Sequence, residues 1–406
     1  MSATPHTTPT APGLSEPESP LARLTPEQIE AIGREFDAIH DEVYADLGER
    51  DARYIRSTIA LHRRLVLASR VALLFSRRRP AWLAGTAMLS LAKILENMEL
   101  GHNIMHGQWD WMNDPDINSQ SWDWDTASPA DAWKHSHNYE HHTFTNIRGK
   151  DRDLGYDIMR IDPHQKWHPV YLLQPLYNLL LMGFFEWGVA FHDMNPDAIR
   201  AGEKSKAQAL AELKAIGVKA RRQIVKDYLA FPALSAATAP AGKRRGTFKS
   251  TFWANFTANI VRNVWAHSII FCGHFPDQTF MFTEEEVQDE SRGAWYVRQL
   301  IGAANIDGGP LFHVMSGNLG YQVEHHLFPD MPSTRYGEIA PRVRELCQRH
   351  GLPYNTGPFS QQLGMVQRTI LRLALPGGSQ RPKPGPYDGP LVRGSGERED
   401  AVPALK

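Results

Sequence analysis

The chain has 406 residues, with 44 basic and 45 acidic side chains and a formal charge of −1. That balance excludes the basic excess of a nucleic-acid binder. Two cysteines, Cys272 and Cys347, are too few for a disulfide framework, a thiolate zinc ribbon or a four-cysteine iron–sulfur cluster. Histidine is the unusual residue: there are 18, and six fall between His102 and His142.

Residues 1–24 carry five prolines among Ser and Thr and no apolar run, the composition of a disordered tail. Thr25-Pro26-Glu27-Gln28 predicts a helix start, with Thr25 as N-cap, Pro26 at the first helical position and Gln28 closing a capping box. An amphipathic helical region is expected over 25–64. Residues 376–406 return to Pro, Gly and charge and read as a second disordered tail.

Between the tails lie apolar stretches at 65–75, 81–100, 169–191, 225–239 and 251–273. Crossing a hydrocarbon core of about 30 Å takes roughly 20 helical residues, and three of the five reach that length. Two keep polar residues inside: Lys93, Glu96 and Glu99 in the second, and Asn255, Asn259, Asn263 and His267 at spacings of four in the last. An i+4 ladder lies on one helix face, and polar residues inside a membrane face a bundle interior. The opposing reading is a helical protein with buried helices, consistent with a mean hydropathy of −0.41.

The chemistry is concentrated in histidine clusters. His102 and His106 are spaced i, i+4 and point the same way on a helix, with Glu99 nearby as an acceptor for an imidazole N–H. In His137-Asn138-Tyr139-Glu140-His141-His142, His137 and His141 share a helical face, while His142 is turned away by about 100°. Diverging neighbours suit a pair of metals better than one. Gln322-Val323-Glu324-His325-His326 repeats the double histidine, with Gln322 where the second cluster has an imidazole. A fourth contribution comes from His267 or His274, at the end of the last apolar stretch.

The set HxxxH, HxxxHH and QxxHH, interleaved with apolar segments, resembles the membrane fatty-acid desaturase family. GHNIMHGQWDWMNDP (101–115) and SGNLGYQVEHHLFPDMP (316–332) look like bacterial acyl-CoA desaturases, and the second run also resembles the front-end desaturases. The likeness covers roughly residues 60–350, with the desaturase domain at 65–350 and a cap extension at 351–375. The resemblance implies an all-α integral membrane bundle of about four transmembrane helices, in the cell membrane, under a cytosolic helical cap. It implies two irons held by His102, His106, His137, His141, His142, His325 and His326 plus one more ligand, with O2 as co-substrate. The reaction it implies is insertion of a cis double bond into an acyl-CoA or acyl-lipid chain within membrane lipid.

Three features depart from the pattern. No His-Pro-Gly-Gly run marks a fused cytochrome, so electrons are expected from a separate ferredoxin, cytochrome or flavoprotein NAD(P)H reductase. Gln322 replaces a histidine found in animal-type enzymes and is expected beside the metals rather than on them. The charged stretch from Asp193 to Lys226 does not match a short hairpin. The basic runs Arg77–Arg78–Arg79 and Lys243–Arg244–Arg245 also oppose a cytosolic catalytic face by the positive-inside tendency.

For the last ligand, Asn263 and His267 reproduce an NxxxH spacing of animal-type enzymes, whereas His274-Phe275-Pro276 resembles a front-end turn. The two histidines lie roughly 10 Å apart along a helix and cannot both reach one centre. Gly273 and Pro276 mark the helix end, which favours His274, with Asn263 held nearby. Trp109 and Trp111, among aspartates, are candidate walls of an acyl tunnel, or aromatic anchors of the cap. A related alkane or lipid hydroxylase would use the same site. A membrane metal-binding or zinc-transport protein is the non-enzymatic alternative, opposed by more histidines than the four ligands that satisfy zinc.

Overall fold

The structure is a computed structural model and describes residues 19–391, so most of the first expected tail and the end of the second lie outside the described residues. Helix α1 (Pro26–Ala45) opens with the capping box read from the sequence: Thr25 Oγ1 accepts from the Gln28 amide while Gln28 Oε1 accepts from the Thr25 amide. Helix α2 (Glu49–Leu73) pairs with α3 (Arg79–Ile94), which runs on as a π-helical segment, Leu95–His102. A second π-helical segment spans Lys134–His141.

The chain continues through α4 (Gln174–Gly183), α5 (Phe185–Asp193), α6 (Lys206–Ile224) and α7 (Phe231–Ala237). Helix α8 (Arg244–His274) is the longest at 31 residues and packs on α3 and α7. The C-terminal part comprises α9 (Arg292–Gly302), α10 (Gln322–Leu327), α11 (Tyr336–His350) and α12 (Phe359–Leu373). Strands β1 (Asn305–Asp307) and β2 (Thr356–Pro358) pair in parallel, with Ile306 opposite Gly357.

Phe36 of α1, Tyr296 and Leu300 of α9, Val323 and Leu327 of α10 and Tyr336 of α11 form one core, which holds the QxxHH helix from outside. Helices α1 and α9 approach at Gly33 and Gly293. A Cβ on Gly293 would lie 1.9 Å from the Ile29 carbonyl oxygen, so this crossing requires glycine. The second core, with Ile94, Met98, Ile269 and Phe271, joins α3 to α8. Residues 376–391 run over the surface, where the Tyr387 amide donates to Leu352 O at 2.9 Å.

The all-α character is present, but the expected membrane bundle is not. Among the described residues no helix is long and apolar enough to cross a membrane, which overturns the four transmembrane helices and the placement in the cell membrane with a cytosolic catalytic face. The reasons are local. The stretch 169–191 breaks at Phe184 (φ −120°, ψ 33°) into α4 and α5. The stretch 225–239 is a π-helical segment followed by the short α7. Helix α8 is long enough but buries Asn255, Asn259, Arg262, Asn263 and His267, and α3 carries buried Lys93 against buried Asp227 of the segment after α6, Nζ to Oδ2 2.8 Å. Apolar side chains including Leu67, Val71, Leu176, Leu179, Leu180 and Phe184 remain exposed on α2, α4 and the α4–α5 joint.

Candidate metal centre

Four segments bring their histidines to one buried place: the end of Leu95–His102 with the turn after it, the π-helical Lys134–His141, the C-terminus of α8, and α10. His102, His106, His137 and His325 form one group with ligand atoms within 4.8 Å of one another; His141, His274 and His326 form a second on the same criterion. His142 lies between them, its ring centroid 4.8 Å from His106, 4.9 Å from His325 and 4.5 Å from His326. A third grouping joins His137 and His141 to Asp153.

The second cluster lies on a π-helical segment and keeps its shared face: the His137 and His141 rings stack with centroids 5.1 Å apart at 18°. On that shared face His137 falls in the first all-histidine group and His141 in the second. His325 and His326 diverge as adjacent residues must, one to each group.

Outer partners fix which nitrogen of each ring points inward. His141 Nδ1 is 3.0 Å from Asp151 Oδ1, His137 Nδ1 is 3.3 Å from Asp153 Oδ2, and His326 Nδ1 is 2.9 Å from Gln299 Oε1. His102 Nδ1 meets Asn103 Oδ1 at 3.0 Å, and His325 Nδ1 meets the Tyr336 hydroxyl at 3.2 Å. The carboxylates and amide oxygens can only accept, so each Nδ1 facing one carries the proton and the Nε2 of that ring presents a lone pair. The Nε2 atoms of His106, His137, His141, His142, His325 and His326 are buried with no protein partner. His274 is turned the other way: its Nε2 lies 2.9 Å from the Gln322 side-chain amide, and Nδ1 is the partnerless atom. Buried polar atoms are ordinarily paired. So many orphaned imidazole nitrogens facing one another fit a site for metal ions, and their number fits a pair of irons better than one closed zinc.

The electrostatics agree. Burial and neighbouring rings push His102 down to about 3 and hold His106, His142, His274, His325 and His326 well below the ordinary imidazole value. These rings are neutral, the state that can bind metal. At His141 burial again opposes charge, but Asp151 and Asp153 outweigh it and raise the value. Asp153 also accepts from His192, Nε2 to Oδ1 2.9 Å.

A small, partly enclosed cleft adjoins the histidines. His102, His137 and His274 line it together with Asp153, Glu186, His192 and Asp193, and Met98, Trp124, Trp133, Tyr156, Phe185 and Ile270 supply apolar wall. Trp133 stacks on His137, with centroids 4.6 Å apart at 24°.

Other residues singled out from the sequence fall in varied places. Glu99 is fully buried and accepts from Tyr54, Ser333 and Asn318 at 2.9–3.1 Å, and burial pushes it up to about 8. Its oxygens go to these groups instead of to an imidazole. Asn263 lines the cleft and donates to Gly183 O at 2.9 Å. Gln322 reaches His274 because Gly273 leaves room: a Cβ there would lie 2.7 Å from Gln322 Cγ. Trp109 and Trp111 do not line the cleft; Trp109 is buried in a separate cluster with Ile55, Ile59 and Ile104. His267 stacks on Phe271 at 3.7 Å and pairs with Asn178 rather than with the asparagine ladder, outside every metal-capable group. Just beyond the second cluster, Arg148 pairs with Asp162, Lys150 with Glu284 and Arg152 with Glu140 and Asp157.

Sequence reasoning missed Asp151, Asp153, His192, Gln299 and Tyr336. An Asp-x-Asp pair ten residues beyond His141 was the available signal; for Gln299 and Tyr336 nothing local marked them.

The fatty acid desaturase family profile matches residues 80–358, which include all these histidines. The chain is 47% identical over 356 residues to the NADPH-dependent stearoyl-CoA 9-desaturase of Mycobacterium tuberculosis, covering 88% of this chain and 82% of that one. It is 27% identical over 293 residues to Delta(5) fatty acid desaturase A of Dictyostelium discoideum, covering 66% and 58%. It is 24% identical over 289 residues to the sn-1 linoleoyl-lipid 6-desaturase of Synechocystis, covering 69% and 76%. Histidine clusters, cleft and sequence profile coincide, and the chain belongs to the fatty acid desaturase family, oxidoreductases that use oxygen to place a double bond in a fatty-acyl chain.

Proposed function

We propose that the chain desaturates a long-chain acyl-CoA at a two-iron site, drawing electrons from reduced nicotinamide through a separate carrier. His102, His106, His137 and His325 would hold one iron, His141, His274 and His326 the other, with His142 placed to serve either. The observation that carries this reading is the set of buried Nε2 atoms without partners, four of them aimed inward by an Nδ1 contact. Two irons with O2 would supply the oxidising power that an unactivated methylene demands.

The chain's own residues do the remainder. Asp151, Asp153, Gln299 and Tyr336 hold ring orientation, which keeps the ligand geometry from drifting. The apolar wall from Met98 to Ile270 aligns an alkyl chain past His102, His137 and His274 and keeps water from the reacting carbons. Acyl-CoA is favoured over acyl lipid because the relative at 47% identity is a stearoyl-CoA enzyme, and its NADPH dependence supports the nicotinamide source. Cys272 and Cys347 are buried and unpaired, with thiols raised by burial, and offer no redox relay. The carrier would be a ferredoxin, a cytochrome or a flavoprotein reductase.

The test is expression in a host of simple lipid profile, with fatty-acid mass spectrometry. A new cis-monounsaturated acid that depends on oxygen and on a co-expressed reductase is expected. Hydroxylated fatty acids without alkenes would contradict the reading.

A further inference from the structure

Desaturation needs electrons from outside, and most of the rings that would hold the metals are enclosed. Reducing O2 to two waters takes four electrons. The acyl chain supplies two of them as it loses two hydrogens, and one-electron carriers supply the other two while solvent supplies two protons. His102, His141, His142, His274, His325 and His326 are all buried, so a carrier protein cannot rest on them. Cys272 and Cys347 are buried and isolated from each other as free thiols.

A line of aromatic rings leads outward from the first histidine group. Trp133 stacks on His137, centroids 4.6 Å apart at 24°, and meets His102 and His106 edge-on at 5.5 Å each. Trp124 leans on Trp133 at 5.0 Å and 54°. These are the separations of aromatic rings in contact. Trp122, only partly buried, packs on the cluster of Met105, Trp124 and Trp133, and its neighbours Ser121 and Asp123 are exposed.

The loop that carries Trp122 and Trp124 is held from several sides. Lys219 of α6 pairs with Asp123 and donates to Trp124 O at 2.6 Å, and Lys226 pairs with Asp125. The Asp125 amide donates to Glu96 Oε1 at 2.7 Å, and Arg262 of α8 donates to Asp125 O at 3.2 Å. The Trp124 indole N–H donates to Ser128 O at 2.8 Å, which fixes the ring. Lasting ring contact is what electron tunnelling requires, because coupling falls steeply across an open gap and less steeply across touching π systems.

We propose that Trp133 and Trp124 form the route by which electrons reach the first histidine group, with Trp122 as its outer end. The inference rests on the two-iron reading of the histidines. Each electron leaves a reduced one-electron carrier, which is oxidised, and arrives at the metal, which is reduced. The indoles supply overlapping orbitals and end in the oxidation state in which they began. Lys219 and Lys226 are positioning residues that keep the rings in contact.

The experiment attaches a ruthenium tris-bipyridyl photoreductant through Ser121→Cys; the native cysteines are buried, which leaves the label one site. A flash with a sacrificial donor, without O2 or acyl-CoA, delivers electrons to the oxidised, iron-loaded chain, and loss of ferric absorbance gives the rate without turnover. The same label on Tyr139→Cys, exposed on the second histidine segment itself, reaches the metals by a path that avoids Trp124 and Trp122. Trp124→Leu and Trp122→Leu should each slow reduction from position 121 by roughly tenfold, a barrier change of about 1.4 kcal/mol. Trp124→Phe, which keeps a ring, should stay near the wild-type rate, and reduction from position 139 should be the same in every variant. Iron content and midpoint potential should also be unchanged, which separates a lost route from a displaced metal. Equal rates from position 121 in wild type and in folded, iron-loaded Trp124→Leu and Trp122→Leu would overturn the proposal. Equal slowing from both label positions would overturn it too, since that marks a purely structural role. A wild-type chain that binds no iron would instead overturn the two-iron reading itself.

Discussion

His141 Nδ1 lies 3.0 Å from Asp151 Oδ1, and the same carboxylate accepts from the backbone amides of Asn146 and Asp153 at 2.8 and 3.0 Å. The aspartate is fully enclosed and cannot donate, so it fixes the proton on Nδ1 and leaves Nε2 for a metal. Replacing Asp151 with Ala is expected to lower metal affinity by about 10–100-fold. Titrated iron binding to the variant measures it. Loss should be partial, because His274 and His326 remain.

His274 and His267 separate metal binding from packing. His274→Ala should lose iron, since His274 lies in a metal-capable group with His141 and His326. His267→Ala should keep iron and lose about 1–3 kcal/mol of stability, because Asn178 forfeits its partner. Iron content and denaturant midpoints of both variants decide this. The reverse pattern would place the metal one full turn or more deeper in α8.

The buried network around Asp227 makes a second stability claim. Lys93 Nζ and Arg70 Nη2 lie 2.8 and 3.2 Å from its oxygens, and Asp227 has no exposed side-chain surface. Lys93→Met strands part of that charge and should cost about 3 kcal/mol, and Lys93→Met with Asp227→Leu should recover only part of it, because Arg70 then loses its carboxylate. Thermal unfolding of the single and double variants is the measurement.

Asp162 supplies a pH dependence away from the metals. Burial opposes its ionisation, but the hydrogen bond from His164 and the Arg148 guanidinium outweigh that and bring it down to about 2. A folded value below the unfolded one stabilises at pH above about 4, and the benefit disappears as pH falls towards 2. Asp162→Asn should therefore reduce stability by about 2 kcal/mol or less at neutral pH and flatten the acid limb between those values. Equilibrium unfolding against pH reads both effects.

The histidine clusters were legible because three imidazoles in six residues have few packing explanations, and their spacing marks the helical segments that carry them. Partners such as Gln299 and Tyr336 were not, since each reaches its histidine across the fold and has an ordinary local sequence. The tryptophans were legible as a group but not individually: Trp124 and Trp133 line the cleft, whereas Trp109 packs against α2. The shared face of His137 and His141 was legible from their spacing, and the π-helical segment keeps it, because four residues turn nearly a full circle in either helix. Apolar runs at 81–100 and 251–273 suggested spans, but an averaged run cannot reveal that Lys93, Glu96, Asn255 and Arg262 are satisfied by partners from distant segments.

The most direct measurement is metal content of the purified chain after anaerobic reconstitution, by mass spectrometry of the released elements. The two groups of buried, inward-facing histidines call for about two iron ions per chain and little zinc. A single tightly held zinc with no bound iron would contradict them.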